Sequence, residues 1–179
     1  MLHSISRRVG NALGLLACAG GIGYALFAEH VLGLPPCPLC IFQRVAVIAL
    51  GVVFLLAALH NPGQRGARIY AALQLIVASV GVLVASRHIW IQMQPAGSVE
   101  ACGADLNYLL DILPLAQVIR KVLFASGECA KIDWTFLGLS IANWSFIAFV
   151  VFGLLVIGLL IGGARRSGSG YNGSVSKAA

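Results

Sequence analysis

The chain has 179 residues, of which 59% are hydrophobic and 10% charged, and 12 Lys and Arg against 6 Asp and Glu give a net charge of +6. Soluble domains carry about 25% charged residues, so too little polar surface exists here to cover a soluble fold, while the mean hydropathy of +0.92 excludes intrinsic disorder. The basic residues form no stripe that would follow a nucleic-acid backbone; they punctuate apolar runs, as the topology signals of an integral membrane protein do.

Arg7 and Arg8 precede the first charge-free run, Val9–Ala28, which predicts a span over about residues 9–27. Leu15-Leu16-Ala17-Cys18 resembles a lipoprotein cleavage site, but the run continues past Cys18 without a charge, which favours an uncleaved span. A link of about residues 28–40 follows, with Pro35, Pro36 and Pro38. The second span is predicted over about residues 41–59 and reaches spanning length only if Ile41–Arg44 join it. The polar turn His60–Arg68 contains Asn61-Pro62-Gly63. The third span, about residues 69–86, stops at Arg87. The longest link, about residues 87–144, holds an amphipathic stretch, Leu106–Phe124, that suits either the membrane interface or an ordinary loop helix. The fourth span is predicted over about residues 145–163, and the Gly/Ser-rich tail, 167–179, reads as disordered.

The expected fold is all-α, an integral membrane four-helix bundle occupying about residues 1–166. Orientation follows from charge. The N-terminus, the short turn and the tail carry Arg7, Arg8, Arg65, Arg68, Arg165, Arg166 and Lys177 and no acid. All six acids fall in the other two links. The positive-inside rule therefore puts both termini in the cytoplasm and the two acidic links on the opposite side, the periplasm of a Gram-negative cell.

The cysteines carry the chemistry. Of five, Cys37 and Cys40 lie in the first outer link, Cys102 and Cys129 in the second, and Cys18 inside a span, where it reads as a small buried apolar residue. The outer side is oxidising, so two cysteines per link suggest two disulfides. From spacing alone, Cys102 and Cys129 suit a stabilising staple worth about 2–4 kcal/mol as well as a redox pair. Cys37-Pro38-Leu39-Cys40 closes too short a loop to be a good staple, and C-x-x-C is the spacing of reversible thiol chemistry. A zinc site is not expected, because no second short-spaced ligand pair accompanies it. Pro38 suits a first helical turn, which makes Cys37 the N-cap of the second span, where the helix dipole favours a thiolate. Arg44 follows Cys40 by one helical turn and Cys37 by two, so the three share a face. A cation this deep costs roughly 2.5–3.5 kcal/mol unless it snorkels or pairs; it is either an interfacial anchor or a group that stabilises a thiolate or a reduced acceptor.

At these residues the sequence resembles the DsbB family. Cys37-Pro38-Leu39-Cys40-Ile41-Phe42-Gln43-Arg44 is similar to the family's first signature, and Ser126-Gly127-Glu128-Cys129-Ala130 with Trp134-Thr135-Phe136-Leu137-Gly138-Leu139 to its second. The resemblance covers all four spans and both outer links. It implies an inner-membrane disulfide oxidoreductase that reoxidises a DsbA-like periplasmic thioredoxin-fold protein and passes electrons to a membrane quinone, ubiquinone or menaquinone. By that resemblance DsbA attacks Cys102, the freed Cys129 attacks Cys37, and Cys40 is left facing the quinone beside Arg44, with His88 and Gln92 just past the third span and near the same quinone. The quinone, being lipid-soluble, is expected at the head of a span, and the soluble partner at a mobile loop bearing Cys102 and Cys129.

Two other readings are weaker. Proteins similar to vitamin K epoxide reductase also place C-x-x-C beside a quinone in a four-helix bundle, but in the last span rather than at the head of the second. A four-span transporter with structural disulfides predicts a polar intramembrane path, for which only Gln74, Ser79 and a few others qualify.

Overall fold

Four long helices form on the apolar runs: α1 (Arg7–His30), α2 (Pro38–His60), α3 (Gln64–Gln92) and α4 (Ile141–Val175). The computed structural model describes residues 6–94, 111, 113–114, 117, 127–130, 132 and 134–175. Cys102 and most of Leu106–Phe124 lie outside them. The segments Arg7–His30, Pro38–His60, Gln64–Gln92 and Ile141–Gly162 are each long and apolar enough to cross a membrane, with mean hydropathies of 1.5, 2.5, 2.1 and 2.8. Their outward faces carry exposed Leu16, Leu59, Leu83 and Leu154, as lipid rather than water requires. The chain is a multi-pass all-α membrane protein.

Local chemistry sets the helix ends. The Ser6 hydroxyl accepts from Val9 N at 3.3 Å and caps α1. Asn61 closes α2 in the left-handed region at φ 38°, with its N–H on the Ala57 carbonyl, and Pro62 prevents continuation. Gly63 then caps α3, so α2 and α3 form a tight helical hairpin.

Two of these helices run further than the residue pattern indicates. The charge on Arg87 predicts the end of the third span, yet α3 continues to Gln92. The Arg87 guanidinium lies 4.1 Å over the Trp90 ring, one turn on, and this cation–π contact sits on the helix surface without breaking it. His88 and Gln92 are therefore on α3 itself, not past it. The backbone of α4 likewise continues to Val175, through the Gly/Ser-rich segment expected to be disordered; extending an existing helix costs far less than starting one.

In the bundle α1 packs on α2, α2 on α3 and α3 on α4, while α1 and α4 meet over only a short stretch. Close approach rests on small residues. A Cβ on Gly81 of α3 would lie 2.3 Å from the Phe149 ring of α4, and one on Gly14 of α1 2.8 Å from Phe54 of α2. The main core joins Cys18, Leu50, Phe54, Ala71, Phe152 and Val156; Cys18 is buried among apolar side chains. A second, smaller cluster of Leu39, Ile91 and Cys129 sits at the other end, with Cys37, Phe42, Val84 and Leu113 against it.

Among the described residues, two small elements lie between α3 and α4. A 3-10 turn, Gly127–Ala130, carries Cys129. A two-stranded antiparallel hairpin, β1 (Thr135–Phe136) and β2 (Leu139–Ser140), pairs Thr135 with Ser140 and Phe136 with Leu139. Its turn residues Leu137 and Gly138 have φ of 52° and 77°, the twist that suits a two-residue hairpin. This hairpin delivers Ser140 and the start of α4 to the bundle end that holds the second cluster.

Candidate active site

The head of α2 builds the centre. Cys37 is the N-cap and Pro38 fills the first turn, so Cys40 N donates to Cys37 Sγ at 3.3 Å. That geometry holds the two sulfurs 2.8 Å apart, facing each other across one helical turn. The third sulfur comes from the 3-10 turn. Cys129 is fully buried against Leu39 and Ile91, and its Sγ, Cys37 Sγ and a ring nitrogen of His88 lie within 4.8 Å of one another. Cys129 is thus packed into the bundle end beside Cys37, not displayed on an open loop.

The Cys37 thiol is held above its ordinary pKa range, first by hydrogen bonding with Cys129, then with Cys40, then by burial. This reverses the expectation from the helix dipole alone. Two neighbouring sulfurs that stabilise the protonated form outweigh the partial charge of one helix end.

Arg44 lies one turn below Cys40 and lines a cavity. It is paired with Glu29 of α1, and its other Nη donates to the Ala25 carbonyl at 3.1 Å. The pairing offsets the cost of a cation at this depth. Sequence reading placed Glu29 only among the outer acids. The position next to the last residue of α1 is the available signal, since it brings the carboxylate level with the head of α2.

His88 projects from α3 with its Nε2 3.7 Å from Cys37 Sγ and its Nδ1 3.2 Å from Gln43 Nε2. Gln92, one turn later, puts its Nε2 3.4 Å from His88 Nε2, and its Oε1 accepts from Ser140 Oγ at 2.7 Å. Asn143 Nδ2 donates to Ser140 Oγ at 3.1 Å. His88, Gln43 and Ser140 are all buried. Gln43, Ser140 and Asn143 were not singled out from the sequence; polar residues inside apolar helices are costly unless partnered, and that was the available signal.

Cys37, Cys40, Gln43, Arg44, His88, Gln92 and Ser140 border one cavity of about 590 Å³, at a place where α1 and α4 make few contacts. Aromatic rings line the same cavity: Trp134 is stacked on Phe136 at 6.0 Å, Tyr24 is 5.9 Å from Trp134, and Trp144 is 5.9 Å from Phe136 and donates to its carbonyl. The size is that of a small-molecule site. The lining combines flat apolar rings with thiols and a guanidinium. The set of Cys37, His88 and Cys129 also has the donor types that a soft metal ion accepts.

The comparisons with known proteins agree with this chemistry. A family model described as Disulfide bond formation protein DsbB matches residues 7–159. Proteins named Disulfide bond formation protein B are similar along most of their length. One from Methylobacillus flagellatus is 47% identical over 84% of this chain and 90% of its own length. Another from Chromohalobacter salexigens is 46% identical over 90% and 94%, and one from Xanthomonas oryzae pv. oryzae is 48% identical over 87% and 90%. With thiols gathered at the end of a four-helix membrane bundle and a family match over nearly its whole length, the chain belongs to the DsbB family and is a membrane disulfide oxidoreductase of protein disulfide bond formation.

Proposed function

We propose that the chain takes two electrons at a time from a reduced, DsbA-like thioredoxin-fold protein and delivers them to a quinone in the cavity bordered by Cys40 and Arg44. The orientation is that of an inner-membrane protein with cytoplasmic termini and periplasmic redox segments. Cys102–Cys129 is the entry disulfide and Cys37–Cys40 the exit disulfide. A DsbA thiolate attacks Cys102, which frees Cys129. Cys129 attacks Cys37, which frees Cys40 toward the cavity and Arg44. The partner's second thiol then displaces Cys102 and leaves as a disulfide, and Cys102 attacks Cys129 and so frees Cys37. Oxidation of the resulting Cys37/Cys40 dithiol back to a disulfide passes two electrons and two protons to the quinone, giving hydroquinone. Each exchange replaces one S–S bond by another, so no outside oxidant enters before the quinone.

The observation that carries this reading is the meeting of Cys129 with Cys37 at 4.8 Å or less, beside a cavity bordered by Cys40 and Arg44. Only a small approach separates those sulfurs from an exchange geometry. Of the residues taken from the resemblance, the cavity is bordered by Cys37, Cys40, Arg44, His88 and Gln92. In that setting Arg44 supplies positive charge where a thiolate and a quinone anion develop, and the aromatic rings of the lining offer apolar faces to the quinone ring.

The test is anaerobic mixing of the purified protein with reduced DsbA and ubiquinone or menaquinone, following quinone absorbance. Quinone reduction that requires both Cys37 and Cys40 is expected. Reduction that persists in Cys37→Ser or Cys40→Ser overturns the assignment of the exit pair.

A further inference from the structure

Two sulfurs and an imidazole converge where the head of α2, α3 and the 3-10 turn meet. Cys37 Sγ, Cys129 Sγ and a ring nitrogen of His88 lie within 4.8 Å of one another, and His88 Nε2 stands 3.7 Å from Cys37 Sγ. Around a tetrahedral zinc ion, with bonds of about 2.3 Å to sulfur and about 2.0–2.1 Å to nitrogen, neighbouring donors sit about 3.5–3.8 Å apart. The three donors therefore need to close by about 1 Å at most to hold one ion. His88 and Cys129 are buried and Cys37 is half-buried. The His88 ring also hydrogen-bonds the backbone of Cys129, which ties the imidazole to the turn that carries the second thiol. Cys37 and His88 border the large cavity, which gives an ion a way in and leaves its fourth position to water.

The donor set selects the ion. Among the described residues no carboxylate joins it, so hard cations that take oxygen ligands are not suited. Two thiolates cancel the charge of a divalent ion, and a neutral complex is the one a buried position tolerates. Cys40 Sγ is 2.8 Å from Cys37 Sγ, but a third thiolate would leave a buried negative charge. The donors stand at positions 37, 88 and 129, so spacing along the chain gives no sign of them.

We propose that the reduced chain holds one thiophilic divalent cation, Zn²⁺ or Cd²⁺, through Cys37, His88 and Cys129. As each metal–sulfur bond forms, the thiol gives its proton to water, and nothing is oxidised or reduced. A neutral imidazole has one lone pair. In the ion-bound state it goes to the ion, in place of the contacts that Nε2 makes with Cys37 and Gln92. Binding is confined to the reduced protein, since the thiolate is the ligand and a sulfur in a disulfide is not one. The consequence rests on the function proposed above. Cys129 and Cys37 are the sulfurs through which the entry and exit pairs exchange, so an ion bonded to both stops electron flow between them. The site is inhibitory: thiophilic cations that reach the cavity halt turnover.

The experiment titrates the reduced full chain in detergent with Cd²⁺, without DsbA or quinone, in a Cys102→Ser background so that this thiol does not compete. Charge-transfer absorbance from thiolate to cadmium should saturate at one ion per chain. Cys129→Ala and His88→Ala should each weaken binding at least about a hundredfold, since loss of a group that merely supports a ligand already costs about 10–100-fold. Cys40→Ser should keep the site. With ¹¹³Cd on the ¹⁵N-histidine-labelled chain, the cadmium shift should report two thiolates and a nitrogen coupling one imidazole. Binding at full strength in Cys129→Ala or His88→Ala, or binding that needs Cys40, overturns the proposal. So does a cadmium resonance without histidine coupling, whether or not any ligand variant folds. Turnover is read separately on the wild-type chain. Preloading the reduced protein with one equivalent of Zn²⁺ should abolish quinone reduction by DsbA, and EDTA should restore it; full turnover with the ion bound overturns the inhibitory role. Failure of the functional reading is distinguishable: it shows as no quinone reduction by the ion-free protein, whereas cadmium binding is read with no quinone present.

Discussion

Cys129 and Arg44 are the two residues whose surroundings most constrain their chemistry. Cys129 is fully buried beside Cys37, so in the proposed exchange its target, once Cys102 is attacked, is inside the bundle. Cys129→Ser should therefore trap Cys102 as a mixed disulfide with DsbA, visible on non-reducing gels. Cys102→Ser should give no adduct, and equal trapping by the two would contradict the order of attack. Arg44 is tied to Glu29 and Ala25 on α1 while bordering the cavity. Arg44→Ala should slow quinone reduction or raise KM for quinone, with exchange at Cys102 little changed. Arg44→Lys should rescue in part, because an ammonium cannot reach both the carboxylate and the carbonyl as the planar guanidinium does. Glu29→Gln should alter quinone kinetics less than about fivefold, since a solvent-exposed ion pair contributes little. Full rescue by lysine, with loss of abundance alone in Arg44→Ala, would make Arg44 a membrane anchor.

At the level of elements, the seam between α3 and α4 decides whether the site exists. Gly81 lets Phe149 lie against α3, and an added Cβ would stand 2.3–2.5 Å from that ring. Gly81→Ala should destabilise the protein by about 1–3 kcal/mol through overpacking, read as a lower thermal midpoint in detergent. Phe149 also borders the cavity, so quinone affinity should fall in the same variant. A Gly153→Ala control has nothing within 4 Å of the added atom and should match wild type. Equal effects in both would mean that helix propensity, not the close contact, governs the seam. The hairpin of β1 and β2 has a comparable role at smaller size: its turn at Leu137 and Gly138 sends the chain back so that Ser140 meets Gln92.

For the whole molecule, orientation links fold to function, because thiols exposed to the reducing cytoplasm would not remain as disulfides. A reporter fused after Lys177, or inserted between Gln64 and Arg65, should be active only in its cytoplasmic form, and one inserted after Asn107 only in its periplasmic form. An exchange of these outcomes would invert the protein and remove the redox argument.

Much of this was legible in the residues alone. Charge-free runs of spanning length can be nothing but helices in lipid, since every backbone N–H and C=O must be satisfied within the segment; that determined four spans and the all-α class. Cys37-Pro38-Leu39-Cys40 specified a thiol pair on a helix cap because spacing within one turn fixes geometry locally. What the chain pattern left open depends on separations that no local rule spans. Only the tertiary structure brought Cys129 to Cys37, Glu29 of α1 to Arg44 of α2, and Ser140 to Gln92. It also carried α3 past Arg87 and so put His88 on the cavity wall. A buried polar side chain is stabilised by whichever partner the packing brings within hydrogen-bond reach, and in a bundle those partners come from other helices.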